Sequence, residues 1–147
     1  MLHAVDSARD DQSAARVAAV CAKARRAQES FAMLAVPVRA RMLRQLRAAL
    51  IRRAEDLIDV VIAESGKVRF EAITLEIVPS ALALTHAAHI AVRALGDETM
   101  RPFLPLPRRA TRTWSPRGVV GLITPFNYTL SIPMSTIAPA LAAGNAV

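Results

Sequence analysis

The stretch that decides the fold is the last thirty residues, GVVGLITPFNYTLSIPMSTIAPALAAGNAV, residues 118–147, which contain no charged side chain. Its opening, GVVGLIT, is uncharged and rich in β-branched residues, which is typical of a parallel strand buried on both faces. TLSIPMSTIAPALAAG then predicts a helix of small residues, with Pro133 near its start and Gly144 just past its end. Because NAV begins another apolar segment, the pattern predicts the start of a βαβ unit.

A transmembrane helix is the alternative interpretation of this uncharged segment. Crossing a bilayer takes about 20 consecutive apolar residues. Every such window here is interrupted by proline or by a polar side chain, so we favour the βαβ interpretation and expect no membrane partner. The interrupting residues are Pro125, Asn127, Ser131, Pro133, Ser135 and Pro139.

Residues 11–99 carry three amphipathic patterns at helical spacing, and we expect them to form one helical layer. The first pattern covers about 11–34, with Asp10 or Asp11 available as its N-cap. Cys21 lies on the apolar stripe of this helix, so we expect it to be a small core residue. The stripe consists of Val17, Val20, Cys21, Ala24 and Phe31.

The second and third helical patterns cover 38–67 and 68–95. Gly66 is a natural left-handed stop for the second pattern, and there Glu64 and Lys67 are expected to form a solvated pair. Pro79 is expected to kink or divide the third pattern. The expected apolar face of the second pattern consists of Met42, Leu43, Leu46, Leu50, Leu57, Ile58, Val61 and Ile62.

Two further segments complete the expected organisation of the chain. Residues 1–10 are expected to form a flexible tail. Residues 100–117 are rich in proline and therefore extended, and RATRTW, residues 109–114, alternates as an edge strand does.

The net charge of +7 raises a nucleic-acid interface as an alternative. The charged residues all lie between Asp6 and Arg117, interleaved with Ala and Leu at helical spacing, which favours solvated helix faces over a basic arm. We therefore expect no nucleic-acid partner. The single cysteine excludes an internal disulfide, and the N-terminus has no basic segment followed by an apolar run, so the expected location is cytoplasmic.

The motifs of the C-terminal segment carry a family resemblance. SPRGVVGLITPFNYTLSIPMSTIAPALAAGNAV, residues 115–147, resembles the start of the coenzyme-binding domain in the NAD(P)-dependent aldehyde dehydrogenase superfamily. ESGK, residues 64–67, resembles the family's Glu-(Thr/Ser)-Gly-Lys. The resemblance implies an α/β fold, of which this chain is an N-terminal portion: mostly α-helical, with 118–147 as the truncated start of a doubly wound parallel sheet.

The same resemblance implies the chemistry. In the family a cysteine thiolate attacks the aldehyde, hydride passes to NAD or NADP, and a glutamate activates the water that releases the acid. The resemblance implies that Asn127 donates its side-chain N–H to the oxyanion that forms when the aldehyde is attacked. From the residues alone, Asn127 could instead be a turn residue that bonds its own backbone. The residues expected to line the coenzyme pocket are Ile123, Thr124, Pro125 and Phe126.

Two departures from the family pattern affect these expectations. Thr129 replaces a common proline, and it is expected either to loosen the loop or to cap the next helix. The catalytic cysteine and glutamate of the family have no counterpart in the 147 residues, since Cys21 precedes the coenzyme segment instead of following it. We expect the isolated chain to be inactive and to fold poorly, with an open sheet edge.

The resemblance leaves two interpretations of the chain open. The first is the N-terminal part of an aldehyde dehydrogenase, with an aldehyde as substrate and a homo-oligomer or a complementing chain as partner. The alternative is a non-catalytic interaction chain that docks onto a separately encoded remainder or a related subunit. No metal is expected in either case, because His86 and His89 lack a third ligand at sensible spacing.

Overall fold

A computed structural model of the protein describes residues 7–100 and 110–147, with the side chains of the first helix described from Ser13 onward. Most of the expected tail therefore lies outside the described residues. The first helix begins at Ser7, four residues before the expected start, so Asp10 and Asp11 lie within its first turns and do not precede it as N-caps.

The described elements are mostly helical, as the fold class predicted. They comprise six helical elements, one of them continued by a π-helical segment, and two short strands. In chain order they are α1 (Ser7–Ala32), α2 (Val36–Arg52), α3 (Ala54–Ser65), α4 (Arg69–Glu71), a π-helical segment (Ala72–Ile77), α5 (Val78–Ala94), β1 (Glu98–Met100), β2 (Ala110–Arg112) and α6 (Ser131–Ala142).

The second helical pattern forms two helices, because the chain leaves helical geometry at Arg53. Gly66 ends α3 in the left-handed conformation at φ 71°, and its N–H donates to the Ile62 carbonyl at 2.9 Å, which confirms the expected stop. The expected apolar face is only partly buried, since Met42 and Leu46 remain exposed.

The third pattern is a continuous helix, Arg69–Ala94, that changes register before Pro79. An α-helix would force the proline ring against the carbonyl four residues earlier and leave that carbonyl without a donor. The π-helical segment absorbs this conflict, and the N–H of Val78 donates to the carbonyl of Ile73, five residues back. The kink or division expected at Pro79 is therefore a short π-helical segment, and Glu76 lies within it.

The core lies where α2, α5 and α6 meet. Alanines dominate the contact of α5 with α6, which lets the two helix backbones approach closely, while Leu84 fills the centre with no exposed surface. This packing brings the first turn of α6 against the π-helical segment. The buried alanines are Ala40, Ala72, Ala87, Ala88, Ala91, Ala138 and Ala142.

The helix Arg69–Ala94 is long and apolar enough to cross a membrane by length and composition. It also packs against α2 and α6 and carries a fully buried carboxylate at Glu76. The core helix of a globular protein passes the same test, so this feature is weak evidence for a membrane.

Helix α1 contacts the rest of the protein mainly near its C-terminal end. Gln28 donates from Nε2 to the Gly144 carbonyl at 3.1 Å, whereas Val17 and Val20 are each more than 60% exposed. Cys21 is exposed as well, so its assignment as a core residue is wrong. The apolar stripe is present in the sequence, but among the described residues it is only partly covered, since Ala24 and Phe31 are half-buried.

Strands β1 and β2 form an antiparallel pair in which Thr99 lies opposite Thr111. The pair confirms a strand within residues 109–114. Both strands are exposed, as the edge position predicted. The proline-rich residues 101–109 between them lie outside the described part of the chain.

The predicted buried strand at 118–124 is wrong for this chain. A single parallel bridge joins Val119 to Ala146, with the Val120 N–H donating to the Ala146 carbonyl at 2.8 Å. Ile123 is completely exposed. A parallel strand becomes regular when it is paired on both edges and covered on both faces, and among the described residues the only bridge to this segment is the one to Ala146. The βαβ order itself is confirmed, because α6 connects the two bridged segments.

Gly144 should tolerate no side chain. Its φ is +89°, and an added Cβ would lie 2.9 Å from Cγ of Pro116 and 3.2 Å from Cζ of Arg39. We expect Gly144→Ala to lower the free energy of unfolding by about 2–4 kcal/mol, the sum of left-handed strain and overpacking. Urea unfolding would measure it. Gly121→Ala is the control, since nothing lies within 4 Å of its added Cβ; equal losses in both variants would contradict the prediction.

Candidate functional site

Asn127 lies in the turn that precedes α6, and it is exposed. Its backbone carbonyl accepts a hydrogen bond from Nζ of Lys67 at 2.6 Å, sixty residues away in sequence. Within the described residues, its side-chain amide makes no hydrogen bond, either with its own backbone or with another group. The main chain of Asn127 is therefore tied to the helical layer while the amide faces outward.

The four residues expected at the coenzyme pocket form one strip leading to Asn127. Ile123, Pro125 and Phe126 are exposed, and Phe126 retains 89% of its accessible surface. We call residues 118–122, which include the bridged Val119, the first parallel segment. Thr124 is half-buried and lines a shallow cleft between this segment, α1 and α6. The strip follows the carboxyl end of that segment, which is the edge where open α/β sheets bind ligands.

Glu76 joins the π-helical segment to the start of α6. Its side chain is fully buried, and Oε2 accepts hydrogen bonds from the backbone N–H groups of Leu130 at 3.0 Å and Ser131 at 2.8 Å. These are amides of the first turn of α6, which have no partner inside the helix. A carboxylate at that position also complements the positive end of the helix dipole.

Thr129 does not cap α6, so that half of the expectation for this position is wrong. No side-chain cap is present at Leu130, the N-cap residue. The hydroxyl of Thr129 is buried without a hydrogen-bond partner among the described residues. The amides of Leu130 and Ser131 donate to the Glu76 carboxylate instead.

Lys67 pairs with Glu76 and not with Glu64, which corrects the expected solvated pair. Gly66 turns the chain out of α3, so Lys67 no longer shares a helix face with Glu64. The Lys67 ammonium contacts Oε1 of Glu76, the carbonyl of Asn127, and the Tyr128 ring at 4.7 Å from its centroid. Its side chain is only 14% exposed, so the pair is largely desolvated.

The electrostatics of this pair keep Glu76 ionised. Burial by itself raises the pKa of Glu76, but the hydrogen bond from Lys67 and those from the amides of Ser131 and Leu130 lower it. The net result is a pKa below the ordinary value of 4.5. Glu76 is therefore a carboxylate at neutral pH, with a cation and two amides as partners.

The lowered pKa of Glu76 predicts a specific loss of stability in acid. A carboxyl whose pKa is lower in the folded state stabilises fully above its unfolded pKa, and this contribution disappears as pH falls through the folded value. We expect the free energy of unfolding to decrease as pH falls below about 4.5, the ordinary value. Glu76→Gln should flatten this part of the pH profile of urea unfolding, and the exposed Glu71→Gln should not. Parallel profiles for wild type and Glu76→Gln would refute the assignment.

Arg39 and Asn145 bind the C-terminal end of α6. Arg39 is buried and donates from Nε to the Ala142 carbonyl at 2.9 Å, where a cation complements the negative end of the helix dipole. Oδ1 of Asn145 accepts from the Gly118 N–H at 3.0 Å, and Nδ2 donates to the Ala140 carbonyl at 3.1 Å. Asn145 therefore links α6 to the first parallel segment.

Sequence reasoning missed the roles of Glu76, Arg39 and Asn145, and it assigned Lys67 the wrong partner. One signal was available for Glu76, since it is the single charge in ITLEIVPSALAL, an otherwise apolar helical stretch. A lone carboxylate inside such a stretch needs a buried partner. Nothing in the sequence identified that partner, because the groups that contact Glu76 come from residues 67, 130 and 131.

Metal ligands are not clustered in the part of the chain that the structure describes. No three His, Cys, Asp or Glu side chains there could share an ion. His86 and His89 are both exposed on α5.

Comparison with known proteins decides the family. The model of the Aldehyde dehydrogenase family matches residues 5–147, nearly the whole sequence. The chain belongs to the aldehyde dehydrogenase family. A relative from Mycobacterium tuberculosis, named provisionally as a succinate-semialdehyde dehydrogenase [NADP(+)], is 39% identical over 92% of this chain and 26% of its own length. The alpha-ketoglutarate semialdehyde dehydrogenase of Haloferax volcanii is 39% identical over 76% of this chain and 22% of its own length.

Solved structures of aldehyde dehydrogenases share the fold of this chain. An NADP-dependent enzyme of E. coli superposes with a TM-score of 0.82 at 28% identity, over 90% of this chain and 27% of its own. A NAD-dependent benzaldehyde dehydrogenase from Corynebacterium glutamicum gives 0.78 at 28% identity, over 89% and 28%. This chain thus spans about a quarter of the length of the relatives it matches.

Proposed function

We propose that these residues are the N-terminal part of an NAD(P)-dependent aldehyde dehydrogenase that oxidises an aldehyde to a carboxylic acid. The observation that carries the proposal is the arrangement of the Asn127 turn. Its backbone is tied to the helical layer through Lys67, while its side-chain amide faces outward at the carboxyl end of the first parallel segment. An amide carried on a fixed backbone at that edge suits a donor to a developing oxyanion.

In this proposal the neighbours of Asn127 hold the coenzyme. Thr124 and Pro125 supply backbone and side-chain contacts to the nicotinamide-ribose part of the coenzyme. The bound coenzyme covers the exposed side chains of Ile123 and Phe126. The coenzyme is NAD or NADP, since proteins named for either coenzyme share the fold. The two sequence relatives are named for semialdehydes that also carry a carboxylate, so succinate semialdehyde is the first substrate to test.

The 147-residue chain by itself should have no dehydrogenase activity, because a covalent route needs a thiolate beside the oxyanion donor. Purified chain, supplied with NAD or NADP and succinate semialdehyde, should produce no reduced coenzyme above a protein-free control. A chimera in which residues 5–147 replace the matching segment of the Mycobacterium tuberculosis relative should produce it. Turnover by the chain alone, or a folded chimera without turnover, would overturn the proposal.

A second function is favoured by the exposed apolar surface. Val17, Val20, Ile123 and Phe126 are exposed, and within residues 7–100 and 110–147 the first parallel segment is joined by one bridge only. Such a surface is suited to association with the remaining coenzyme-binding domain, on a complementing chain or within a homo-oligomer. Mixing this chain with the separately expressed remainder of the relative would decide it. If the mixture regains turnover, this chain acts by docking onto the separately expressed remainder. We propose that it does so in the cytoplasm.

A further inference from the structure

The Lys67–Glu76 pair contacts both the Asn127 turn and the start of α6. Lys67 donates to the carbonyl of Asn127 itself, its ammonium faces the ring of Tyr128, and Glu76 accepts from the amides of Leu130 and Ser131. One buried ion pair thus controls both the backbone of the turn and the entry into α6. None of these contacts involves the side-chain amide of Asn127.

We propose that Lys67 and Glu76 are positioning residues for the oxyanion donor, which they hold through the backbone of the turn. The inference rests on the role proposed for Asn127. Fixing its carbonyl fixes the peptide plane next to its Cα, so only the side-chain torsions remain free. Catalytic groups must be held within about 0.5 Å of the productive geometry, and a misplacement of about 1 Å can cost on the order of a hundredfold in rate.

The sequence and local structure around the pair fit this role. Lys67 follows Gly66, whose left-handed conformation directs the chain from α3 towards the turn. Glu76 lies in the π-helical segment, where the altered register changes the direction of its side chain relative to an α-helix. π-helical turns occur frequently at functional sites. Both residues thus lie on backbone features that depart from regular helix, and both are directed at the same turn.

A purely stabilising pair would act differently from a positioning pair. If Lys67 only stabilised the fold, its removal would lower turnover by the same factor whether or not Asn127 was present. If it acts through Asn127, its removal should matter only while the amide is there. A double-mutant cycle separates the two roles, because coupling between residues appears as non-additivity.

The first experiment measures the order of the turn in the 147-residue chain. Hydrogen exchange by mass spectrometry is compared for peptides covering 124–131 and 82–94. Lys67→Met leaves the Glu76 carboxylate buried without its cation, so it should lower the stability of the whole chain, and exchange of the second peptide reports that common loss. Exchange of the first peptide should increase by about tenfold or more beyond the increase in the second, because the bond to the Asn127 carbonyl is lost. Lys23→Met is the matched control, since Lys23 is the other lysine of the chain and is exposed on α1. An increase at 124–131 no larger than that at 82–94 in Lys67→Met would overturn the proposal.

The second experiment measures kcat in the chimera for Lys67→Met, Asn127→Ala and the double variant. We expect Lys67→Met to lower kcat about tenfold in the wild-type background and less than twofold in the Asn127→Ala background. Equal factors in both backgrounds would overturn the positioning role. If Asn127→Ala alone changes kcat less than threefold, the proposed oxyanion role fails, while the exchange measurement still decides whether Lys67 orders the turn.

Discussion

Replacing Asn127 with alanine in the chimera should lower kcat by about two to three orders of magnitude, the usual loss for one oxyanion donor. The amide is exposed and has no hydrogen-bond partner among the described residues, so its removal costs no internal contact. The KM values for aldehyde and coenzyme should change little, because the donor acts mainly as charge develops in the transition state. Steady-state kinetics with succinate semialdehyde and NADP would measure this.

Asn145 provides the matched control, since it is the other asparagine of the chain. It is buried, and it bonds the Gly118 N–H and the Ala140 carbonyl. Asn145→Ala should therefore destabilise the fold by about 1–3 kcal/mol and leave turnover per folded molecule near the wild-type value. Less than a threefold loss of kcat in Asn127→Ala would return Asn127 to the role of a turn residue.

Replacing Glu76 with alanine should be the most destabilising single change among those considered for the 147-residue chain. The substitution leaves Lys67 without its carboxylate and leaves the Leu130 and Ser131 amides without an acceptor. Breaking a buried ion pair by removing one partner costs about 3–5 kcal/mol. Domains have about 5–15 kcal/mol of total stability, so the variant should be near the limit of folding. Urea unfolding at neutral pH, followed by circular dichroism, would measure it.

Two further variants isolate the cause of that loss. Glu71→Ala removes an exposed carboxylate one turn earlier on the same helix and should change stability by less than about 0.5 kcal/mol. Lys67→Met combined with Glu76→Leu removes both charges, so it should be less destabilising than Glu76→Ala alone. If Glu76→Ala and Glu71→Ala have equal effects, Glu76 does not hold α6 as described.

The features that local chemistry controls could be predicted from the sequence. Gly66 and Gly144 both have positive φ at the expected helix ends, because glycine is the residue without steric cost there. Pro79 interrupts the α-helical hydrogen bonding of its helix whatever the tertiary packing, because proline has no backbone N–H to donate. The ordered motifs of residues 115–147 indicated the family, and the family model confirms it.

The features that depend on neighbours could not be predicted in the same way. The apolar stripe of α1 implied a buried Cys21, and the uncharged GVVGLIT implied a buried strand. Both patterns describe surfaces suited to burial, but burial also needs a covering element. Among the described residues, none covers Cys21 or Ile123, so both are exposed.

The sequence by itself determined the helix stops at Gly66 and Gly144, the βαβ order and the family, because these follow from backbone sterics and from motifs of contiguous residues. Only the tertiary structure decided that Lys67 pairs with Glu76, that this pair holds the Asn127 turn, and that Arg39 closes the other end of α6. A buried charge is stable only with a partner, and the partner is set by which segments the packing of α5 against α6 brings together.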